Sequence, residues 1–259
     1  MNTEQIHKHS QRLLHEFNLD GFVSLPGFFD SDELTEIRTN KDRFVKDVVP
    51  SMPETEVYYD DKNDKSTLKQ LQNMEKQDPF FGEMLSAGNK LETLAAVCLG
   101  EAVRPMNLQY FNKPASASQP TPPHQDGYYF HLVPNLAITM WIALEDVEPE
   151  QGCVNYVQGS HHFGMRAHGK SGTLGFSQSI LDFGIPNDLE RARSFPCKAG
   201  HLIAHHSLTI HWADGNTSGD KTRQALGAVF FAERSEVDQR AKAAYQARLD
   251  AELTAAGRI

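Results

Sequence analysis

The stretch His201-Leu202-Ile203-Ala204-His205-His206-Ser207-Leu208-Thr209-Ile210-His211-Trp212, with its continuation Arg223-Gln224-Ala225-Leu226-Gly227-Ala228-Val229-Phe230-Phe231-Ala232, decides the fold class. It contains β-type runs at 201–205, 207–212 and 224–232. The gap before Arg223 is filled with Asp, Gly, Asn, Ser and Thr, residues that turn a chain rather than continue a helix. The same texture reaches back to about residue 102, in short runs at 103–112, 123–131, 136–144 and 152–157 with no helices between them. Many short strands in succession predict a sandwich or barrel. One long insertion, 160–197, carries Gly, Ser and His and is expected to fold over one end.

Upstream of this block the pattern is helical. Ile6, Leu13, Leu14 and Phe17 recur at helical spacing, and a short strand is expected within 21–29. Asp30-Ser31-Asp32-Glu33 then offers a capping oxygen with a Glu three residues on, opening a helix through Leu34, Ile37, Phe44 and Val48. Residues 50–66, with Pro50, Pro53 and many charges, predict a surface loop; helical pattern returns at 67–76 and 79–99. The Ala-rich, charged segment 233–256 predicts a helix on the surface or at a subunit contact. The expected organisation is a single domain over 1–259. It has a mostly helical part over 1–100, a β core over 101–232 holding the insertion, and a C-terminal helix over 233–259. The fold class is α+β with a mainly β core.

Composition narrows the partners. The chain of 259 residues has a net charge of −9 and no stretch concentrating Lys and Arg, which disfavours nucleic acid and anionic membranes. Cys98, Cys153 and Cys197 are scattered without C-x-x-C spacing, which suggests a reduced compartment and no thiolate metal site. The polar N-terminus and the lack of a membrane-length apolar run make a cytoplasmic protein the expectation, as monomer or homodimer.

The chemistry starts at His124-Gln125-Asp126. On an extended segment, residues two apart face the same side, so an imidazole and a carboxylate would stand together. A second histidine would complete the 2-His-1-carboxylate face used by non-haem Fe(II) oxygenases. A lone H-x-D is a weak signal in a chain with 12 histidines. His211 ends a β-type run, and Arg223 opens the next strand twelve residues later, so a hairpin can return both to one mouth of a barrel. That arrangement suits an iron enzyme using 2-oxoglutarate and O2. Three protein ligands leave positions for the keto acid and O2, and a guanidinium can hold the distal carboxylate bidentately. His161, His162 and His168 read better as surface or supporting residues, and His206 as a strand histidine near the iron. Tyr128, Tyr129, Phe130 and His131 could shape a substrate pocket. Met165-Arg166 and Lys170 either meet an anionic substrate or belong to a solvated lid.

Several ordered motifs resemble the phytanoyl-CoA dioxygenase family of Fe(II)/2-oxoglutarate oxygenases, over roughly residues 15–232. They are Asp20-Gly21-Phe22-Val23-Ser24-Leu25-Pro26-Gly27-Phe28, His124-Gln125-Asp126, Trp141-Ile142-Ala143-Leu144-Glu145-Asp146-Val147 with Gln151-Gly152-Cys153 and Gly159-Ser160-His161, and His206 to His211 with Asn216 before Arg223. The resemblance implies a double-stranded β-helix (jelly-roll, cupin-like) with N-terminal helices on one sheet. It implies His124, Asp126 and His211 as iron ligands and Arg223 as the 2-oxoglutarate anchor, with Gln109, Trp141 and Lys69 as further co-substrate contacts. Asn112, Tyr128, Tyr129 and His131 are the substrate candidates. The sequence departs from the family in a slightly longer interval between His211 and Arg223, and in Ala213 where a serine is expected. Halogenating relatives lack the carboxylate, so Asp126 implies hydroxylation of an unactivated C–H, with succinate and CO2 as co-products. A small polar metabolite is favoured over an acyl-CoA, since no basic patch awaits the nucleotide. The alternative is a cupin-like metal-binding module, sensory or structural, without turnover.

Overall fold

The computed structural model describes residues 1–115, 118–173, 176–245 and 247. The helical part comprises α1 (Thr3–Lys8), α2 (Ser10–Asp20), strand β1 (Phe22–Leu25) and α3 (Ser31–Arg43). As expected, the Asp30 carboxylate accepts the Asp32 and Glu33 N–H groups, and the Glu33 carboxylate accepts the Asp30 N–H. There follow β2 (Val57–Tyr59), β3 (Leu68–Leu71), α4 (Met74–Gln77), α5 (Pro79–Met84) and α6 (Lys90–Leu99). The core then runs β4 (Val103–Lys113), β5 (Thr121–His124), α7 (Gly127–Phe130), β6 (Leu132–Val133), β7 (Ala137–Ala143) and β8 (Val154–Val157). It continues with β9 (His168–Thr173), β10 (Phe176–Ile180), α8 (Pro186–Glu190), β11 (Ala192–Phe195), β12 (Leu202–His206), β13 (His211–Ala213), β14 (Arg223–Ala232) and β15 (Glu236–Val237).

These strands form a seven-stranded antiparallel sheet, ordered β1-β12-β7-β14-β4-β3-β2, and a four-stranded sheet, β11-β8-β13-β5. Period-two alternation sorts the large sheet's faces. Ile138, Met140, Ile142, Leu202, Ala204, Leu226 and Phe230 pack with Leu13, Phe17, Leu91 and Leu94 of the helices. Trp141, Ala143, Ile203 and Ala225 point the other way, onto Val154, Tyr156 and Ala213 of the small sheet. This is the α+β double-stranded β-helix arrangement, with no closed barrel. No helix among the described residues is long and apolar enough to cross a membrane.

Several sequence expectations are corrected. The helix expected over 67–76 is β3 followed by α4. Gln70 and Leu71 pair with Phe111 and Tyr110, so the backbone groups at the edge of β4 outweigh an apolar spacing that fits either structure. The helix over 79–99 breaks between α5 and α6, where Gly88 has φ +81° and the Asn89 side chain caps α6. Part of the 50–66 loop is β2, which extends the large sheet. The 123–131 run is strand only to His124, and Ser207–Ile210 precedes rather than belongs to β13. The 160–197 insertion is not wholly external, because β11 pairs with β8 inside the small sheet. The C-terminal helix expected over 233–259 is helical over residues 239–245, and the rest of that expectation lies mostly outside the described residues.

Gly152, in the Gln151-Gly152-Cys153 motif, has φ +75°, and a methyl group there would collide with the Asp214 carbonyl just beyond β13. Gly152→Ala is therefore expected to cost about 2 kcal/mol from backbone strain alone, lowering Tm by roughly 4–8 °C in thermal denaturation. An unchanged Tm would contradict this.

Candidate active site

Strands β5 and β13 pair with His211 directly opposite His124, which brings the two imidazoles to a centroid separation of 4.1 Å. Backbone carbonyls fix both rings. His124 Nδ1 lies 2.8 Å from the Pro122 oxygen and His211 Nδ1 3.0 Å from the Thr209 oxygen. A carbonyl only accepts, so each Nδ1 carries the hydrogen and each Nε2 lone pair is the metal-binding one. Those Nε2 atoms face Asp126 Oδ1 at 3.5 and 3.6 Å. The three residues offer ligand atoms all within 4.8 Å of one another, the one such group among the described residues. The chain reaches this geometry differently from the extended segment the spacing suggested. β5 ends at His124, and Asp126 already has helical φ and ψ (−56°, −35°) at the start of α7.

The electrostatics suit a cation. Burial opposes ionisation of Asp126, but the imidazoles packed around it, with His205 donating to its carboxylate, hold the carboxyl well below its usual range. Burial, reinforced by His124 and His205, pushes His211 far down, so it stays neutral and keeps its lone pair. Gln125 turns away from the pair. Its amide donates to the Gly164 and Leu208 carbonyls (2.9 and 2.7 Å) and accepts from the Arg166 N–H (2.8 Å), tying the insertion to the site. Arg166 itself donates from Nη1 to both Asp188 oxygens at 2.8 Å and also pairs with Asp182, so it does not await an anionic substrate.

A cavity of about 280 Å³ runs from this triad to Arg223. Arg223 is buried, and no carboxylate pairs with it among the described residues. Its Nε and the Trp141 Nε1 are both buried without a hydrogen-bond partner, while the guanidinium lies 5.7 Å from the Trp141 ring. Burial lowers its pKa to about 10. Lys113 stands opposite Arg223 in the β4–β14 register, equally buried, with its ammonium donating to the Gln119 carbonyl at 2.7 Å. Burial, with repulsion from Arg223 and Lys69, pushes the Lys113 amine down to about 6. A buried guanidinium beside a lysine held neutral leaves the pocket's charge uncompensated, and an anion entering between them would remove that cost and favour the ammonium.

The other candidates divide. Gln109 and Trp141 line the cavity, with Gln109 Oε1 accepting from Gln70 Nε2 at 2.9 Å. Lys69 lines it too, but its ammonium pairs with Asp60 at 3.3 Å. Asn112 uses its amide to cap the Leu68 carbonyl (2.8 Å). Tyr129 lines the cavity with its hydroxyl 3.0 Å from the Gln178 carbonyl. Tyr128 and His131 instead line a separate hollow with Asn135, Met165 and Tyr245, and Tyr128 stacks on His168 at 4.4 Å. His206 faces the helices, 6.0 Å from Phe17, and burial lowers its pKa to about 3. The histidine that reaches the triad is its neighbour His205, which the sequence reading missed although alternation along β12 assigns it the inner face with Ile203. Lys113 and Thr139 were missed as well.

A double-stranded β-helix with two histidines and a carboxylate at one mouth defines the class of cupin-like non-haem iron oxygenases. The family model for phytanoyl-CoA dioxygenase (PhyH) matches residues 17–225, and the chain belongs to that family. Phytanoyl-CoA dioxygenase domain-containing protein 1 of Rattus norvegicus is 25% identical, with 82% of this chain and 86% of the relative covered. A probable alpha-ketoglutarate-dependent hypophosphite dioxygenase of Stutzerimonas stutzeri is 23% identical over 80% of this chain and 73% of its own length. Among solved structures, the epimerase SnoN in complex with Fe3+, alpha ketoglutarate and nogalamycin RO superposes with a TM-score of 0.72 at 24% identity, covering 89% of this chain and 86% of SnoN. EctD from S. alaskensis with 2-oxoglutarate and 5-hydroxyectoine gives 0.68 at 17%, covering 85% and 75%. Membership places the chain among the iron and 2-oxoglutarate-dependent oxygenases.

Proposed function

We propose that His124, Asp126 and His211 hold Fe(II), that Arg223 anchors the distal carboxylate of 2-oxoglutarate, and that the chain hydroxylates an unactivated C–H bond of a small polar metabolite. The observation that carries this is one cavity with a 2-His-1-carboxylate face at one end and, at the other, a buried guanidinium that no carboxylate among the described residues pairs. Iron held by such a face, with 2-oxoglutarate, supplies the oxidising power that converts O2 and the keto acid to succinate and CO2 and oxidises a C–H bond. The chain's residues position and shield. His124 and His211 present fixed lone pairs, Arg223 and Trp141 offer donors to a carboxylate, and Val154 and Ala213 on the small-sheet wall exclude water. The cavity lining also includes neutral Asn107, Gln70 and Gln72 with Met106 and Phe130, which supports a substrate with uncharged polar groups. Tyr129, the phenol ring near His124 (6.1 Å), keeps its hydroxyl on Gln178. That favours oxygen transfer over the return of a hydrogen atom, as epimerisation would need.

The tests are turnover and product analysis. Succinate release under air should be stimulated by the true substrate in a metabolite panel, and the product should gain one oxygen. A product of unchanged mass would indicate epimerisation instead, and no succinate with any compound would favour a binding module.

Lys113 gives a pH prediction. Its amine is neutral above about pH 6 in the free pocket, where it faces Arg223, Lys69, Asp214 and Asp60. An entering dianion favours the ammonium, so binding takes up a proton. The affinity for 2-oxoglutarate should therefore fall as pH rises above about 6, by at most about tenfold per pH unit. Calorimetry on the Zn(II)-loaded protein in buffers of different ionisation enthalpy measures that uptake. Lys113→Met should abolish it, and equal uptake in both proteins would refute the assignment.

A further inference from the structure

The two oxygens of Asp126 have different surroundings. Oδ1 faces the Nε2 atoms of His124 and His211. Oδ2 accepts the Thr139 hydroxyl at 2.6 Å and lies 3.1 Å from His205 Nε2. Thr139 and His205 are direct cross-strand partners on β7 and β12, so one rung of the large sheet holds this oxygen from both sides. Behind it, the Tyr156 hydroxyl lies 3.2 Å from His205 Nδ1. Tyr156 is fully buried, pairs in register with His211 on the small sheet, and stacks on its ring at 5.7 Å and 23°. The hydrogens run one way. Tyr156 O–H donates to His205 Nδ1, which leaves Nε2–H to donate to an Asp126 oxygen that only accepts.

We propose that Thr139 and His205, oriented by Tyr156, are positioning residues that restrict Asp126 to one metal-facing oxygen and so keep a coordination position available for 2-oxoglutarate. The inference rests on the metal reading above. A carboxylate free to rotate can offer both oxygens to a cation, and the second would occupy a place the chelating keto acid needs. With Oδ2 already holding two donors, only Oδ1 is left for the cation. Such outer partners commonly matter by about 10- to 100-fold in metal affinity or activity.

The test uses Co(II) as a spectroscopic stand-in, in Thr139→Val, Thr139→Ser and His205→Phe proteins, with thermal melts confirming folding. Two ligands separate the two ends of the cavity. 2-Oxoglutarate engages both ends, whereas glutarate lacks the keto group and reports chiefly on the Arg223 end. Thr139→Val and His205→Phe are expected to weaken 2-oxoglutarate binding to the Co(II) protein by about 10- to 100-fold, with a changed Co(II) absorption spectrum and unchanged glutarate binding. Thr139→Ser, which keeps the hydroxyl, should restore wild-type behaviour. Wild-type 2-oxoglutarate affinity and spectrum in both variants would overturn the proposal. So would a loss of Co(II) in His205→Phe as complete as in Asp126→Ala, which would make His205 a ligand. If Asp126→Ala itself leaves Co(II) binding unchanged, the metal reading fails rather than the clamp.

Discussion

Asp126→Ala is expected to abolish succinate formation and to weaken Fe(II) or Co(II) binding by at least about 100-fold. The variant leaves two imidazoles, His124 and His211, with no anionic ligand for a dication. It also strips Thr139 and His205 of their shared acceptor, and a buried donor left without a partner costs about 1–3 kcal/mol. A lower Tm should accompany the lost metal. Turnover and metal titration distinguish this from simple unfolding, because both histidines keep the carbonyl bonds that orient them. Wild-type metal affinity in the folded variant would remove Asp126 from the site.

Replacing Arg223 should act on the other end of the cavity and with a different signature. Arg223→Met is expected to raise the KM for 2-oxoglutarate by about 100-fold, since truncating one partner of a buried charge pair costs about 2–5 kcal/mol. The residue touches a group remote from the reacting carbon, so kcat at saturating 2-oxoglutarate should change much less. Arg223→Lys should recover little, because an ammonium replaces a planar fork with a point charge. In the ligand-free protein the sign reverses. A buried guanidinium opposite Lys113, with no carboxylate partner among the described residues, is a strain on the fold, so Arg223→Met should raise Tm. An unchanged KM would show that the anchor lies elsewhere.

How much of this was readable from residues alone depended on whether local order and tertiary context agreed. The Asp30–Glu33 cap was visible because both partners lie within one turn. The strands β7, β12 and β14 were visible because burial on two faces demands runs such as Ile138–Ala143. β3 was not, because Leu68 and Leu71 suit a helix as well as an edge strand, and only the pairing to β4 decides between them. His124, Asp126, His211 and Arg223 stood out through their spacing and motifs, and the structure gathers them about one cavity. His205 was hidden beside His206, since adjacent strand residues differ only in face, and strand phase is fixed by the sheet rather than by the dipeptide. Lys113 carries no signal of its own in the sequence, and only its register opposite Arg223 brings it to the pocket. Tyr128 and His131 followed the H-x-D motif closely, but the turn into α7 carries them to the neighbouring hollow.

On this reading the cavity binds iron and 2-oxoglutarate together and turns the keto acid over. The direct measurement is to mix the protein anaerobically with Fe(II) and 2-oxoglutarate, record the visible spectrum, then admit air and quantify succinate. The expected result is a weak visible absorption that requires both additions, its decay in air with succinate formed, and neither signal in Asp126→Ala. A protein that binds Fe(II) but shows no 2-oxoglutarate-dependent absorption and releases no succinate in air would contradict it.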